Sequence, residues 1–222
     1  MMCVSCWDKA AGSQTRRERE GKSPYDLFMA PLERLFLRPW RKQWLPQVQG
    51  DLLEIGVGTG ANLPFYRPGC CRLIAVDVSS EMLRQTATRA PSNSLCLAQM
   101  DVQSLAFPGD SFDWVVGSLL FCGVLDPLRG LREVHRVLRP GGRLLLIEHV
   151  RSTWPLMGYV LDVANVFWNN CTHYCHLNRR TLDVVREAGF GLRRVEAHAM
   201  GVVQVILAEK VTHGFSIDCA DW

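Results

Sequence analysis

The sequence predicts an α/β chain built on a mostly parallel seven-stranded sheet, with helices on both faces and an antiparallel hairpin at one edge. Three observations predict it. From residue 51 onward, short apolar runs alternate with helical patterns, the rhythm of βαβ units. The runs are apolar throughout, not at every second position, which marks strands covered on both faces. A Gly56-x-Gly58-x-Gly60 turn follows the first run, and Asp77 ends the second.

Taken in order, residues 1–22 read as a polar tail without structure, ending in Arg16-Arg17-Glu18-Arg19-Glu20. Residues 23–50 read as an N-terminal helical lid: Leu32, Leu35, Phe36, Trp40 and Trp44 recur at helical spacing, with Pro39 expected to kink or divide the helix. The main domain spans 51–210. Its strands are Leu52–Ile55, Leu73–Val76, Ser94–Ala98, Phe112–Leu119 and Arg143–Glu148. Ser79 is placed to cap a helix that follows the second strand. A helix from Leu128 to Leu138 is expected to stop at Pro140-Gly141-Gly142. Helices over Pro155–Trp168 and Arg179–Ala188 precede the last two strands, Leu192–Ala197 and Val202–Glu209, whose short Met200-Gly201 connection predicts the hairpin. Residues 211–222 form a C-terminal tail.

The chain has 222 residues, 48% hydrophobic and 21% charged, which suits one globular domain and excludes a fibrous or disordered chain. The net charge of +3 is too small to imply nucleic acid, and the basic excess sits within residues 1–50. No apolar run approaches the roughly 20 residues that span a bilayer, and residues 1–20 hold no signal-like apolar segment. The nine cysteines then read as reduced thiols of a cytoplasmic protein. Cys171-x-His173-x-Cys175-His176 contains zinc-ligand residue types at a spacing that fits no familiar knuckle and with no second pair nearby, and Cys3-x-x-Cys6 falls in the polar tail, where metal, redox chemistry and lipid attachment are alternatives, so no metal is expected.

Glycines after a buried strand allow positive φ and bring backbone close to a ligand. By itself this loop also fits a nicotinamide dinucleotide, with Asp77 on the ribose. Glu54, just before the loop, favours a cationic sulfonium ligand over a pyrophosphate, and Asp101 stands where it could accept from an adenine amine. Together with Ser111-Phe112-Asp113-Trp114-Val115-Val116 and Arg136-Val137-Leu138-Arg139-Pro140-Gly141-Gly142, the sequence resembles the class I S-adenosylmethionine-dependent methyltransferases, a Rossmann-like fold. The resemblance implies S-adenosylmethionine as cofactor. It assigns Glu54, Gly56, Gly58 and Gly60 to the methionine part, Asp77 to the ribose, and Met82, Asp101 and Val102 to the adenine. Ser118 and Leu119 would flank the transferable methyl, and Tyr25 would close over the donor. The plainer alternative for each carboxylate is a solvated loop residue.

A narrower resemblance follows the fifth strand. Ile147-Glu148-His149-Val150, Trp168, Cys175-His176-Leu177-Asn178-Arg179-Arg180-Thr181 and the Leu119–Val124 segment around Cys122 are similar to the methyltransferase-like thiol S-methyltransferases and their bacterial relatives. It implies a small, lipophilic acceptor, first a thiol, with Cys122, Trp168 and Arg179 on the acceptor side. The opening Tyr25-Asp26 and Pro31-Leu32-Glu33 also resemble phospholipid N-methyltransferases, so a phospholipid or quinone acceptor stays open, as does a non-catalytic S-adenosylmethionine-binding protein. His149 is the candidate base for a thiol whose free pKa is ~8.5; a histidine merely bonded in the cleft wall is the competing reading. Arg179 equally suits a helix-capping role. Residues 31–45, with arginines between apolar positions, suggest a peripheral contact with an anionic membrane as an alternative to a lid. Oligomeric state is not legible.

Overall fold

The computed structural model describes residues 2–3, 37–67, 71–89, 95–172 and 176–211. The strands are β1 (Met2–Cys3), β2 (Gly50–Ile55), β3 (Cys71–Asp77), β4 (Leu95–Gln99), β5 (Phe112–Ser118), β6 (Leu138–His149), β7 (Phe190–His198) and β8 (Val203–Lys210). The helices are α1 (Arg38–Trp44), α2 (Ser80–Arg89), α3 (Pro127–Val137), α4 (Pro155–Thr172) and α5 (Thr181–Glu187). They form one sheet in the order β1-β4-β3-β2-β5-β6-β8-β7. β4, β3, β2, β5 and β6 run parallel, while β8 pairs antiparallel with both β6 and β7. The seven long strands and the edge hairpin are those the sequence predicts. The addition is β1, which pairs Met2 with Leu97 and Cys3 with Cys96 inside the stretch expected to be an unstructured tail.

β2 lies at the centre because its residues are apolar toward both faces. Leu53 and Ile55 enter the core under α3 and α5, and Leu52 enters the core under α1 and α2. The chain leaves β2 toward β3 and β4 on one side and reaches β5 and β6 on the other. This reversal of strand order opens a crevice at the carboxyl ends of β2 and β5.

Two local readings change. α3 ends at Val137 and passes directly into β6, which begins at Leu138 and carries Pro140-Gly141-Gly142 as an irregular stretch rather than a helix stop. The register shift between Phe112 and Trp114, opposite Leu138 and Arg143, absorbs these extra residues, and Gly141 takes φ 74°. α5 opens at Thr181, so Arg179 lies outside the helix and does not cap it. Pro39 sits in the first turn of α1, where its missing N–H has no helical partner to lose.

Within residues 31–45, those from Leu37 onward are described, and they turn their apolar side chains inward. Leu37, Trp40, Trp44 and Leu45 are buried against the α2 side of the sheet. Trp40 stacks on His198 with centroids 4.5 Å apart, and the Arg194 guanidinium lies 5.2 Å from the Trp44 ring. These contacts fasten α1 across β7, and they leave its described apolar face to the core rather than to a membrane. No helix among the described residues is long and apolar enough to cross a membrane.

Candidate active site

The loop after β2 is held in the left-handed region at each glycine: φ is 61° at Gly56, 56° at Gly58 and 80° at Gly60. L residues reach this region only at a cost. Gly56 is also closed in, since a Cβ there would stand 2.7 Å from Leu120 Cδ1, whereas a Cβ at Gly58 would meet only the Gly56 carbonyl oxygen, at 4.0 Å. The loop is pinned from three sides. The Gly58 amide donates to Asp77 Oδ2 (2.9 Å), the Thr86 hydroxyl donates to the Gly58 carbonyl (2.7 Å), and Arg89 reaches the Thr59 carbonyl (3.1 Å). Asp77 also accepts from the Ser79 amide (2.8 Å), while the Ser79 hydroxyl caps the first turn of α2 at the Met82 amide. The loop, β3 and α2 therefore meet on one buried carboxylate.

Glu54 is buried beneath the loop on the face that α1 covers. Its Oε1 accepts from Asn62 Nδ2 (3.0 Å), and that amide also reaches Ser118 Oγ (3.1 Å) at the end of β5. Burial pushes the Glu54 carboxyl up to about 7, and Asn62, Tyr66 and the Arg41 charge on α1 offset only part of it. A carboxyl so poised, at the root of a glycine loop, fits a ligand that brings a positive charge.

Across the crevice the turn after β5 is strained. Leu119 has φ 53°, in the region non-glycine residues rarely occupy, although its amide still donates to the Ile147 carbonyl (2.8 Å). The turn is gripped from the next strand: Glu148, fully buried on β6, accepts from the Leu120 amide (3.0 Å) and the Phe121 amide (3.1 Å) through the same oxygen. Backbone strain sustained by such over-determination is typical of ligand-binding sites. Ser118 faces Ile147 in the ladder, so His149, two residues further along β6, projects from the same sheet face beyond it. Its Nδ1 is buried and meets no hydrogen-bond partner among the described residues. Burial lowers the His149 pKa, which keeps the imidazole neutral near pH 7.

Of the residues expected from sequence, the structure brings Glu54, Gly56, Gly58, Gly60, Asp77, Met82, Ser118, Leu119 and His149 to this end of the sheet. Others sit differently. The Asp101 carboxylate is exposed and wrapped by Gln103, whose amide (2.8 Å) and Nε2 (2.9 and 3.1 Å) both donate to it. Val102 turns its side chain into the opposite core, against Gly130 of α3. The Cys122 thiol is buried and donates to the Leu119 carbonyl (3.4 Å), which makes it part of the strained turn rather than an open acceptor contact. The Arg179 carbonyl accepts from the Arg151 amide (2.9 Å), tying together the loops after β6 and before α5. Beside these loops lies a cleft of about 290 Å³, lined by residues including Arg151, Ser152, Arg180, Thr181 and Gln204. Tyr25, the side chains of Trp168 and Cys171, and residues 173–175 lie outside what the structure describes. Among those described, no group of three or more His, Cys, Asp or Glu could hold a metal.

Two residues went unassigned in the sequence reading. Asn62 is a polar residue two positions past the last loop glycine, where apolar packing would be expected. Glu148 is a single charge ending the apolar run Leu144–Ile147. A lone carboxylate in a buried run must find donors, and that was the available signal.

A parallel sheet with its strand order reversed at β2, a left-handed glycine loop and a buried carboxylate at its root define a class I, Rossmann-like methyltransferase site. Residues 53–146 match the family described as methyltransferase domain. The chain is 32% identical over 183 residues to the human thiol S-methyltransferase TMT1A, covering 78% of this chain and 72% of that one. It is 34% identical over 153 residues to rat thiol S-methyltransferase TMT1B, covering 65% of this chain and 62% of the relative's length. The S-adenosylmethionine-dependent methyltransferase from Mesorhizobium loti shares the fold, with TM-score 0.61 and 20% identity over 77% of this chain and 96% of that one. The chain thus belongs to the methyltransferase-domain family.

Proposed function

We propose that the chain S-methylates a small, lipophilic thiol. S-adenosylmethionine supplies an electrophilic methyl group on a sulfonium. Glu54, the glycine loop and Asp77 are the residues to hold it, and Ser118 and Leu119 border the reacting end. Methyl transfer of this kind is an in-line displacement, so the protein chiefly aligns the partners and excludes water. The observation that carries the thiol reading is His149: a largely buried imidazole at the end of β6, with Nδ1 unsatisfied among the described residues and a pKa that burial lowers. A thiol loses its proton far more readily than an alcohol or amide, so one such base suffices. The likeness to thiol S-methyltransferases supports the same choice.

The test is transfer of a labelled methyl to an alkanethiol, an amine-bearing phospholipid and a quinol, with the wild type and with His149→Gln. The expected result is thiol methylation that falls about a hundredfold in the variant near pH 7, with unchanged affinity for S-adenosylhomocysteine. Because the His149 pKa is lowered, the acid limb of kcat/KM should lie below pH 6.5, the ordinary histidine value. Methylation of the phospholipid or the quinol alone would overturn the thiol reading.

A further inference from the structure

Three parts of the site meet on the short turn formed by residues 119–122. Its first amide, that of Leu119, donates to the Ile147 carbonyl of β6 (2.8 Å). The Leu120 side chain lies against Gly56 of the loop after β2, where a Cβ would have no room. The Cys122 carbonyl accepts from the His176 amide (2.9 Å), so the segment after α4 hangs on the same turn.

The turn does not hold its own shape. Leu119 stands at φ 53°, which an L residue keeps only where its surroundings dictate it. Here the hold is Glu148. Its side chain is fully buried, and one oxygen accepts from the Leu120 (3.0 Å) and Phe121 (3.1 Å) amides. With the Ile147 carbonyl, β6 thus grips three successive amides. Leu144 and Leu146 on the same sheet face fill the core without polar atoms. An apolar residue at 148 would do the same but leave two buried N–H groups unmet. The carboxyl is there for the turn. His149, the candidate base, is the next residue along the strand, so one strand fixes both the base and the turn that borders the reacting end.

We propose that Glu148 is a positioning residue for methyl transfer: by holding residues 119–122, it keeps the reacting end of the donor in line with the acceptor side. In-line displacement tolerates little misplacement, and a shift of about 1 Å can cost about a hundredfold. This role rests on Leu119 bordering the reacting end, as proposed above, and not on the acceptor being a thiol. Rates are measured with whichever of the thiol, phospholipid and quinol the wild type methylates, per S-adenosylhomocysteine-binding site. Glu148→Gln keeps an accepting oxygen and should stay within about threefold of wild type. Glu148→Leu should lose about a hundredfold in kcat. Its S-adenosylhomocysteine affinity should hardly change, because Asp77, Thr86 and Arg89 pin the glycine loop from elsewhere. In a Leu119→Gly background, where positive φ is readily adopted, the same Glu148→Leu change should cost about tenfold or less. A hundredfold loss in both backgrounds, equal impairment by Gln and Leu at position 148, or unchanged kcat per site would each overturn the proposal. Should Glu148→Leu fail to fold, hydrogen exchange in the wild type decides: the Leu120 and Phe121 amides should be among the slowest, and fast exchange would overturn the hold. A wrong acceptor changes which compound is methylated and leaves these ratios as they are.

Discussion

The two ends of the sheet treat their carboxylates in opposite ways. At the amino ends, Asp51 and Asp113 are saturated by arginine: Arg139 bridges Asp51 (2.8 Å) and Asp113 (2.7 Å), and Arg72 adds a contact to Asp51 (3.0 Å). Partial burial pushes the Asp113 carboxyl up, but Arg139 and the Asp51 amide outweigh it and hold Asp113 below the usual carboxylate range. At the carboxyl ends, Glu54 has amide and phenol neighbours and a single buried guanidinium, and burial wins. The first arrangement is closed on itself. The second leaves electrostatic demand unmet, which is the state a site needs before its ligand arrives.

The comparison can be broken most sharply at Glu54. Its folded pKa of about 7 lies above the ordinary 4.5. The proton is therefore bound more tightly in the folded protein. The resulting stability is full below pH 4.5 and is lost as pH rises through 7. Glu54→Gln keeps the oxygen that Asn62 bonds and should remove this slope. The ligand-free variant should then be more stable than wild type at pH 8 by roughly 3 kcal/mol. Denaturant melts at pH 5 and pH 8 read it directly, and parallel wild-type and variant curves would show that Glu54 is not strained.

Asp77 comes next. Asp77→Ala removes the acceptor for the Gly58 and Ser79 amides, and if Asp77 holds the ribose as proposed, affinity for S-adenosylhomocysteine should fall by about 2–3 kcal/mol in titration calorimetry. Unchanged affinity would take Asp77 out of the donor site. The smallest effect belongs to the amino end. Arg139→Gln opens a half-exposed ion-pair network and should cost about 1 kcal/mol or less, with kcat and donor affinity unchanged. A loss of activity there would mean that the two ends are coupled.

The fold was legible because it is written in runs. Leu52–Ile55, Leu73–Val76 and Leu144–Ile147 are apolar enough to demand cover on both faces, and the Met200-Gly201 connection leaves the last strands little choice but a hairpin. The turn after β2 was legible because three glycines following a buried strand announce the positive φ that Gly56, Gly58 and Gly60 adopt. Less could be read where a role depends on what lies across the chain. Asn62 gains its role only when β5 brings Ser118 beside Glu54, and Glu148 only when the turn after β5 folds under it. Cys122 looked available until the strained turn directed its thiol at a backbone carbonyl. The apolar spacing of Trp40 and Trp44 told of a helix face but not of its partner, since β7 lies far along the chain.

The central position of β2 has a consequence for synthesis. One edge of Gly50–Ile55 is covered as soon as Cys71–Asp77 follows it, but the other waits for Phe112–Ser118. Until that stretch leaves the ribosome, the nascent chain carries an apolar strand with an open edge, the kind of surface that templates association. β6 in turn must wait for β8. Assembly therefore proceeds outward from a strand made early and completed late, and the yield of soluble chain will depend on how long that edge stays uncovered.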